Sequence, residues 1–90
     1  MKIVVTGCSG FIGFHLCLKL SLNKKYFIYG VDNMNNYYDT NLKKDRLKIL
    51  KQKKNFSFKK INIIDYIKLK QFCKDINVDV IINLAAQAGV

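Results

Sequence analysis

Apolar residues in this chain fall into short runs separated by stretches with a different rhythm. Ile3 to Val5 is wholly apolar and Tyr26 to Val31 nearly so; Phe56 to Ile61 alternates, and Asp79 to Leu84 is apolar at its centre. Runs of this length, bounded by Gly, Asn, Asp or Lys, predict strands. The stretches between them read as helices. Phe11 to Leu22 has only His15 and Lys19 as strongly polar positions before Ser21. Four apart, those two share one solvent stripe, which assigns Ile12, Leu16 and Leu20 to the buried side. Leu42 to Gln52 is lysine-studded, with a thinner apolar stripe of Leu42, Ile49 and Leu50. Asp65 is placed to cap a further helix, whose Leu69, Phe72, Cys73 and Ile76 recur at i, i+3, i+4 and i+7.

Strands alternating with helices predict an α/β fold with a parallel sheet and right-handed crossovers. Strands one, two and four read as covered on both faces. Strand three sets Phe56 and Phe58 against Ser57 and Lys59, as an edge strand would. Order 3-2-1-4 puts it at an edge, so pattern and topology agree. Strand four poses a problem, because Val80, Ile81 and Ile82 ask for burial while no further helix and strand follow before Val90. The expectation is the N-terminal half of a Rossmann-type doubly wound sheet: residues 1–90 form one partial domain, without repeat, linker or second domain.

The connection after the first strand carries the chemistry. Gly7, Gly10 and Gly13 stand in VTGCSGFIG, between strand one and the first helix, and Asp32 ends strand two. Strand, glycine turn, helix, strand and acid is the layout of a dinucleotide-binding βαβ unit. Gly7 lets the chain turn off the strand, Gly10 lets backbone approach a pyrophosphate, and Gly13 lets the helix pack close to the sheet. The N–H groups and positive dipole end of that helix then face the phosphates. Asp32 is placed to accept from the adenosine ribose hydroxyls, against the blander reading of a turn that serves packing alone. It would repel a 2′-phosphate, and Asn33-Met34 offers no Arg to receive one, so NAD is expected over NADP.

Charge changes this picture little. Sixteen Lys and Arg stand against six acids, all Asp, giving a formal charge of +10. Lysines cluster at Lys43-Lys44, Lys48, Lys51, Lys53-Lys54 and Lys59-Lys60, but Arg46 is the only arginine. No zinc-ligand spacing, recognition-helix pattern or RNP-like motif accompanies them, so they read as a solvated helix face and not as a nucleic-acid surface. Cys8, Cys17 and Cys73 form no CxxC and leave an odd thiol, which fits a reduced, cytoplasmic setting, with no metal site. Val5-Thr6-Gly7-Cys8 imitates a lipoprotein box but lacks the ~7–15 apolar residues a signal peptide needs. Nothing approaches the ~20 of a membrane span. His15 reads as solvated, and Cys8 as a small side chain tolerated in the loop, although a helix N-terminus lowers a thiol's pKa.

VTGCSGFIG, the stretch VDNMNNYYDTNLKKDRL and the ending NLAAQAGV together resemble the extended short-chain dehydrogenase/reductases, the NAD-dependent epimerase/dehydratases of nucleotide sugars. The NNYYD…LKK segment resembles the UDP-glucuronate 4-epimerase branch, and the resemblance covers essentially the whole chain. It implies NAD as cofactor and a UDP-sugar as substrate of a complete member. By position it implies that Phe11 and Ile12 give N–H groups to the pyrophosphate. Asp32 would hold the ribose, with Asn33 and Asn36 nearby. Asn62 would meet the adenine amino group where the family usually has Asp, and Ile63 would lie against the ring. Leu84, Ala85, Ala86 and Gln87 would pass the nicotinamide side, and Asn83 stands where many relatives have His.

The same resemblance implies transient oxidation at the sugar's C4, with a tyrosine base in a Tyr-x-x-x-Lys pair. Those residues are expected beyond Val90, so these ninety residues contain no catalytic residue and are expected to be inactive alone. Tyr66 and Lys70 have the spacing but sit on a surface helix remote from a nicotinamide. Relatives commonly form homodimers through helices not present here. Two other readings compete: a non-catalytic NAD-binding module or sensor, and a basic nucleic-acid binder.

Overall fold

A computed structural model describes residues 1–34 and 40–85. The elements run β1 (Lys2–Thr6), α1 (Phe11–Ser21), β2 (Phe27–Asp32), α2 (Thr40–Lys51), β3 (Phe56–Lys60), α3 (Tyr66–Ile76) and β4 (Val80–Asn83). The strands form one parallel sheet in the order β3-β2-β1-β4. Both the order and the edge position of β3 are those the apolar runs predict.

Side-chain alternation explains the layering. Ile3 and Val5 of β1 point to one face, where they meet Phe14 and Cys17 of α1 and Leu47 and Leu50 of α2. Val4 points to the other, with Val31, Ile61 and Cys73; Leu69, Phe72 and Ile76 of α3 pack against them. The chain steps β1→β2→β3 in one direction, so right-handed crossovers place α1 and α2 on the same face. It then reverses to reach β4, which sends α3 to the opposite face. Asp65 caps α3 as expected, its carboxylate accepting from the Lys68 N–H at 3.2 Å.

Three expectations about faces need correction. On α1 the buried positions are Gly13, Phe14, Cys17 and Ser21, while Ile12 is 67% exposed and Leu16 and Leu20 are half-buried. Nearly every position of this helix is apolar, so periodicity cannot set its phase; close packing of Gly13 does. On α2 the inward stripe is Lys43, Leu47 and Leu50, at i, i+4 and i+7, whereas Leu42 and Ile49 face outward. Lys43 is not solvated: its aliphatic stem is buried and only its charged head needs a partner. Finally, β4 is not covered on both faces. Val80 is 38% and Ile81 52% exposed, because β1 is the strand's single neighbour among the described residues.

Candidate functional site

The direction of strand addition reverses between β1 and β4, and ligands of open α/β sheets bind beyond the carboxyl ends of strands at such a switch. Thr6 closes the floor there. Its hydroxyl donates to Asn83 Oδ1 and accepts from the N–H groups of Leu84, at 3.1 Å, and Ala85, at 3.2 Å. One hydroxyl therefore uses its donor and both lone pairs to tie the exits of β1 and β4 together.

The glycine turn lies directly above. Gly7 has φ +73°, and a Cβ there would come within 2.9 Å of the Ala85 nitrogen. Both the backbone angle and the passage of β4's exit segment therefore exclude a side chain. A Cβ on Gly13 would sit 2.0 Å from the Gly7 carbonyl oxygen, so α1 can approach the loop this closely only with glycine. Gly10 differs: its added Cβ would meet only the Gly7 oxygen, at 3.3 Å, and otherwise open space. Gly10 is also the N-cap of α1, where no side chain caps the helix and no acid stands in the first turn. The opening N–H groups, from Phe11 onward, have no intrahelical acceptor and carry the positive end of the dipole. An approachable backbone with donors and no side-chain competitor suits a pyrophosphate.

Asp32 ends β2 beside this turn and is only 5% exposed. Oδ2 of its carboxylate accepts from both the N–H and the hydroxyl of Ser9 in the glycine loop. Oδ1 accepts from the Met34 N–H at 2.8 Å and lies 3.6 Å from Lys43 Nζ. One turn further along α2, Arg46 Nη1 donates to the Ser9 carbonyl at 3.1 Å, its guanidinium 5.9 Å from the centre of the Phe11 ring. Thus α2 delivers two cations to the loop and its acid. Neither is among the site residues expected from the sequence. A lysine and an arginine three apart at the start of the helix after an acid-terminated strand are the signal that could have found them.

Residues 4–90 match the family described as GDP-mannose 4,6 dehydratase. The chain belongs to this family.

Its similarity to individual members is high over its whole length. It is 47% identical to Protein CapI of Staphylococcus aureus, over all of this chain and 26% of that protein. It is 40% identical to the UDP-glucuronate 4-epimerase of Thermodesulfobacterium geofontis, over 97% of this chain and 27% of the relative. The crystal structure of UDP-glucuronic acid 4-epimerase from Bacillus cereus, in complex with UDP-glucuronic acid and NAD, superposes with a TM-score of 0.85 at 37% identity. That match covers all of this chain and 28% of the enzyme. The chain thus spans about a quarter of the length of these epimerase/dehydratase relatives.

Around the turn, the remaining expected site residues of this family member are spread along the sheet's carboxyl edge. Phe11 and Ile12 open α1 with side chains 66% and 67% exposed. Asn33 follows Asp32 and is half-buried. Asn62 is exposed, and its Oδ1 accepts from the Ile64 N–H at 3.1 Å, while Ile63 beside it is half-buried. Leu84 is 37% exposed and Ala85 half-buried. Asn36, Ala86 and Gln87 lie outside the described residues. Tyr66 and Lys70 sit on α3, against the opposite face from α1, and Tyr66 is 67% exposed. Cys8 is fully buried, and its thiol is pushed well above the ordinary range, first by desolvation and then by nearby Cys17 and Asp32. It is therefore a packed, protonated side chain and not a nucleophile. His15 is exposed, edge-on to Phe11 and Phe14. Among the described residues no group of three His, Cys, Asp or Glu could hold a metal, and no helix is long and apolar enough to cross a membrane.

Proposed function

We propose that this chain binds NAD at the β1–β4 switch and forms the adenosine- and pyrophosphate-holding part of a UDP-glucuronate 4-epimerase-like enzyme. The observation that carries the reading is one juxtaposition: an uncapped helix start behind an approachable Gly10, beside the buried carboxylate of Asp32. In this reading the N–H groups of Phe11 and Ile12 donate to the pyrophosphate, and Asp32 takes the ribose hydroxyls with Asn33 and Asn36 alongside. Asn62 and Ile63 border the adenine; Leu84, Ala85, Ala86 and Gln87 border the nicotinamide half.

When bound, NAD supplies the hydride acceptor and donor for inversion at the sugar's C4. The chain's own part is positioning. Thr6 holds the exits of β1 and β4 at fixed spacing, Gly13 seats α1 against the loop, and Ser9 fixes the rotamer of Asp32. Groups held this way keep the cofactor's reactive end at one place relative to the sheet. The likeness to the Bacillus cereus enzyme with UDP-glucuronic acid and NAD supports the substrate class. Titration calorimetry of the ninety-residue chain with NAD tests the reading. One saturable site is expected; no heat of binding in a folded sample would overturn it.

A further inference from the structure

The carboxylate expected to choose between NAD and NADP does not stand alone. Lys43 Nζ lies 3.6 Å from Asp32 Oδ1, and the two side chains are 10% and 5% exposed. The other contacts of Asp32 are firmer: Ser9 holds Oδ2 twice and the Met34 N–H reaches Oδ1 at 2.8 Å. The Lys43 contact is therefore longer than a charge-assisted hydrogen bond, which closes to ~2.7–2.9 Å. Nothing fits between atoms this close, but a single oxygen seated beside the pair can bridge it, donating to Asp32 and accepting from Lys43. Arg46, the neighbouring cation, is tied to the Ser9 carbonyl. The ribose edge of the loop thus holds two cations against one carboxylate among the described residues.

We propose that Lys43 is a second determinant of dinucleotide choice, a receptor for the 2′-phosphate of NADP that Asp32 keeps silent. The inference rests on the NAD reading above and deepens it. A free 2′-hydroxyl satisfies both members of the pair, because it donates to the carboxylate and accepts from the ammonium. A 2′-phosphate has only acceptors toward Asp32 and meets its charge at close range, so the parent chain rejects it. Without the carboxylate the same phosphate faces a partly desolvated ammonium already in place, with Arg46 one helical turn away. The sequence offers no Arg at Asn33-Met34 to receive a phosphate; in this reading the receptor comes from α2 instead.

The test is calorimetric titration of the parent chain and its variants with NAD and with NADP, each variant checked by thermal unfolding. The parent should prefer NAD. Asp32→Asn should turn the ratio of affinities toward NADP by about 100-fold, the upper range for one charge-assisted hydrogen bond formed in place of a repulsion. Asp32→Ser, whose hydroxyl can still accept from Ser9, should turn it the same way, so misfolding of one variant leaves the other to decide. Adding Lys43→Met to either should remove about tenfold or more of the NADP gain and a smaller share of the NAD affinity, because an ammonium holds a phosphate dianion more strongly than a neutral hydroxyl. Lys43→Arg should keep the gain. NADP binding by Asp32→Asn should also weaken more steeply with added salt than NAD binding does. If NADP affinity is unchanged by Asp32→Asn and Asp32→Ser, or if Lys43→Met leaves the gain intact, the proposal is overturned while the NAD reading stands. If the folded parent binds neither dinucleotide, both fall together.

Discussion

β1 and β4 are adjacent, parallel and alike in composition, yet their environments differ sharply. Ile3, Val4 and Val5 are 4%, 0% and 0% exposed; Val80 and Ile81, paired with Ile3 and Val4, are 38% and 52% exposed. β1 has a strand on each side, α1 over one face and the α3 cluster over the other. β4 has one neighbour and an open edge among the described residues. An apolar run states what a strand needs; the elements around it determine what it gets. The half of the sheet around β1 and β2 thus carries both stability and the candidate site. The β4 side supplies part of the floor, through Asn83 accepting from Thr6 of β1, but little core.

Truncating side chains on the two sides gives the widest contrast. Ile28 of β2 is fully buried, so Ile28→Ala should cost about 2–5 kcal/mol through lost transfer energy and a cavity. Ile81→Ala removes a half-solvated side chain and should cost under about 1 kcal/mol. Urea unfolding of the two variants measures both; equal costs would mean that β4 is as well covered as β2.

A second test separates packing from binding within the β1 half. Gly13→Ala puts a methyl group 2.0 Å from the Gly7 oxygen, so backbone must move. The expected cost is about 1–3 kcal/mol, typical of overpacking, together with loss of NAD binding. Gly10→Ala meets one oxygen at 3.3 Å and open space, so the fold should stay within about 0.5 kcal/mol while NAD affinity drops. Equal melting temperatures for the two variants would remove the distinction between the glycines.

Thiol ionisation probes the same core. Burial pushes Cys17 from its ordinary 9.0 up to about 12, raises Cys8 in the same direction, and raises Cys73 as well. The native thiols keep their protons where those of the unfolded chain have lost them. The stabilising effect is complete below about pH 9 and is lost as pH rises from there toward 12. The full slope is about 1.4 kcal/mol per pH unit for each such thiol. Alkaline urea melts should show this loss, and Cys17→Ala should reduce the slope by about one thiol's share. An unchanged slope in that variant would contradict the assignment.

Much of this was legible in the sequence. Strand order followed from which runs alternate and which do not, and the glycine turn, Asp32 and the Asp65 cap were fixed by residue type and spacing. The phase of α1 was not, since a helix apolar all round gives periodicity nothing to report. The small residues Gly13, Cys17 and Ser21, four apart, did hold the phase, because close approach to a loop requires small side chains there. Lys43 escaped notice for the opposite reason. Residue type marked it as polar and outward, whereas its head is drawn inward by Asp32, a partner eleven positions earlier that only the fold brings within 3.6 Å. The pairing itself leaves only a faint trace in the sequence, a lysine early in the helix that follows an acid-terminated strand.

The smallest stability effect tests the β4 side most directly. Ile81→Lys places a charge on a half-exposed position of an open strand, where unfolding free energy should change by no more than about 0.5 kcal/mol. Association should change much more. The edge of β4, open among the described residues and flanked by Val80, Ile81 and Leu84, is a template for pairing with a second copy, and an inserted lysine is the usual way such an edge is protected. The formal charge of +10 opposes that contact at low salt, but its range shrinks to ~8 Å at physiological ionic strength. Sedimentation velocity across a salt series should therefore show the parent chain associating as salt rises, and Ile81→Lys staying monomeric over the same range. A parent chain that remains monomeric at high salt and high concentration would show that the exposed face of β4 is not adhesive. Equal association of parent and variant would place the contact elsewhere on the molecule.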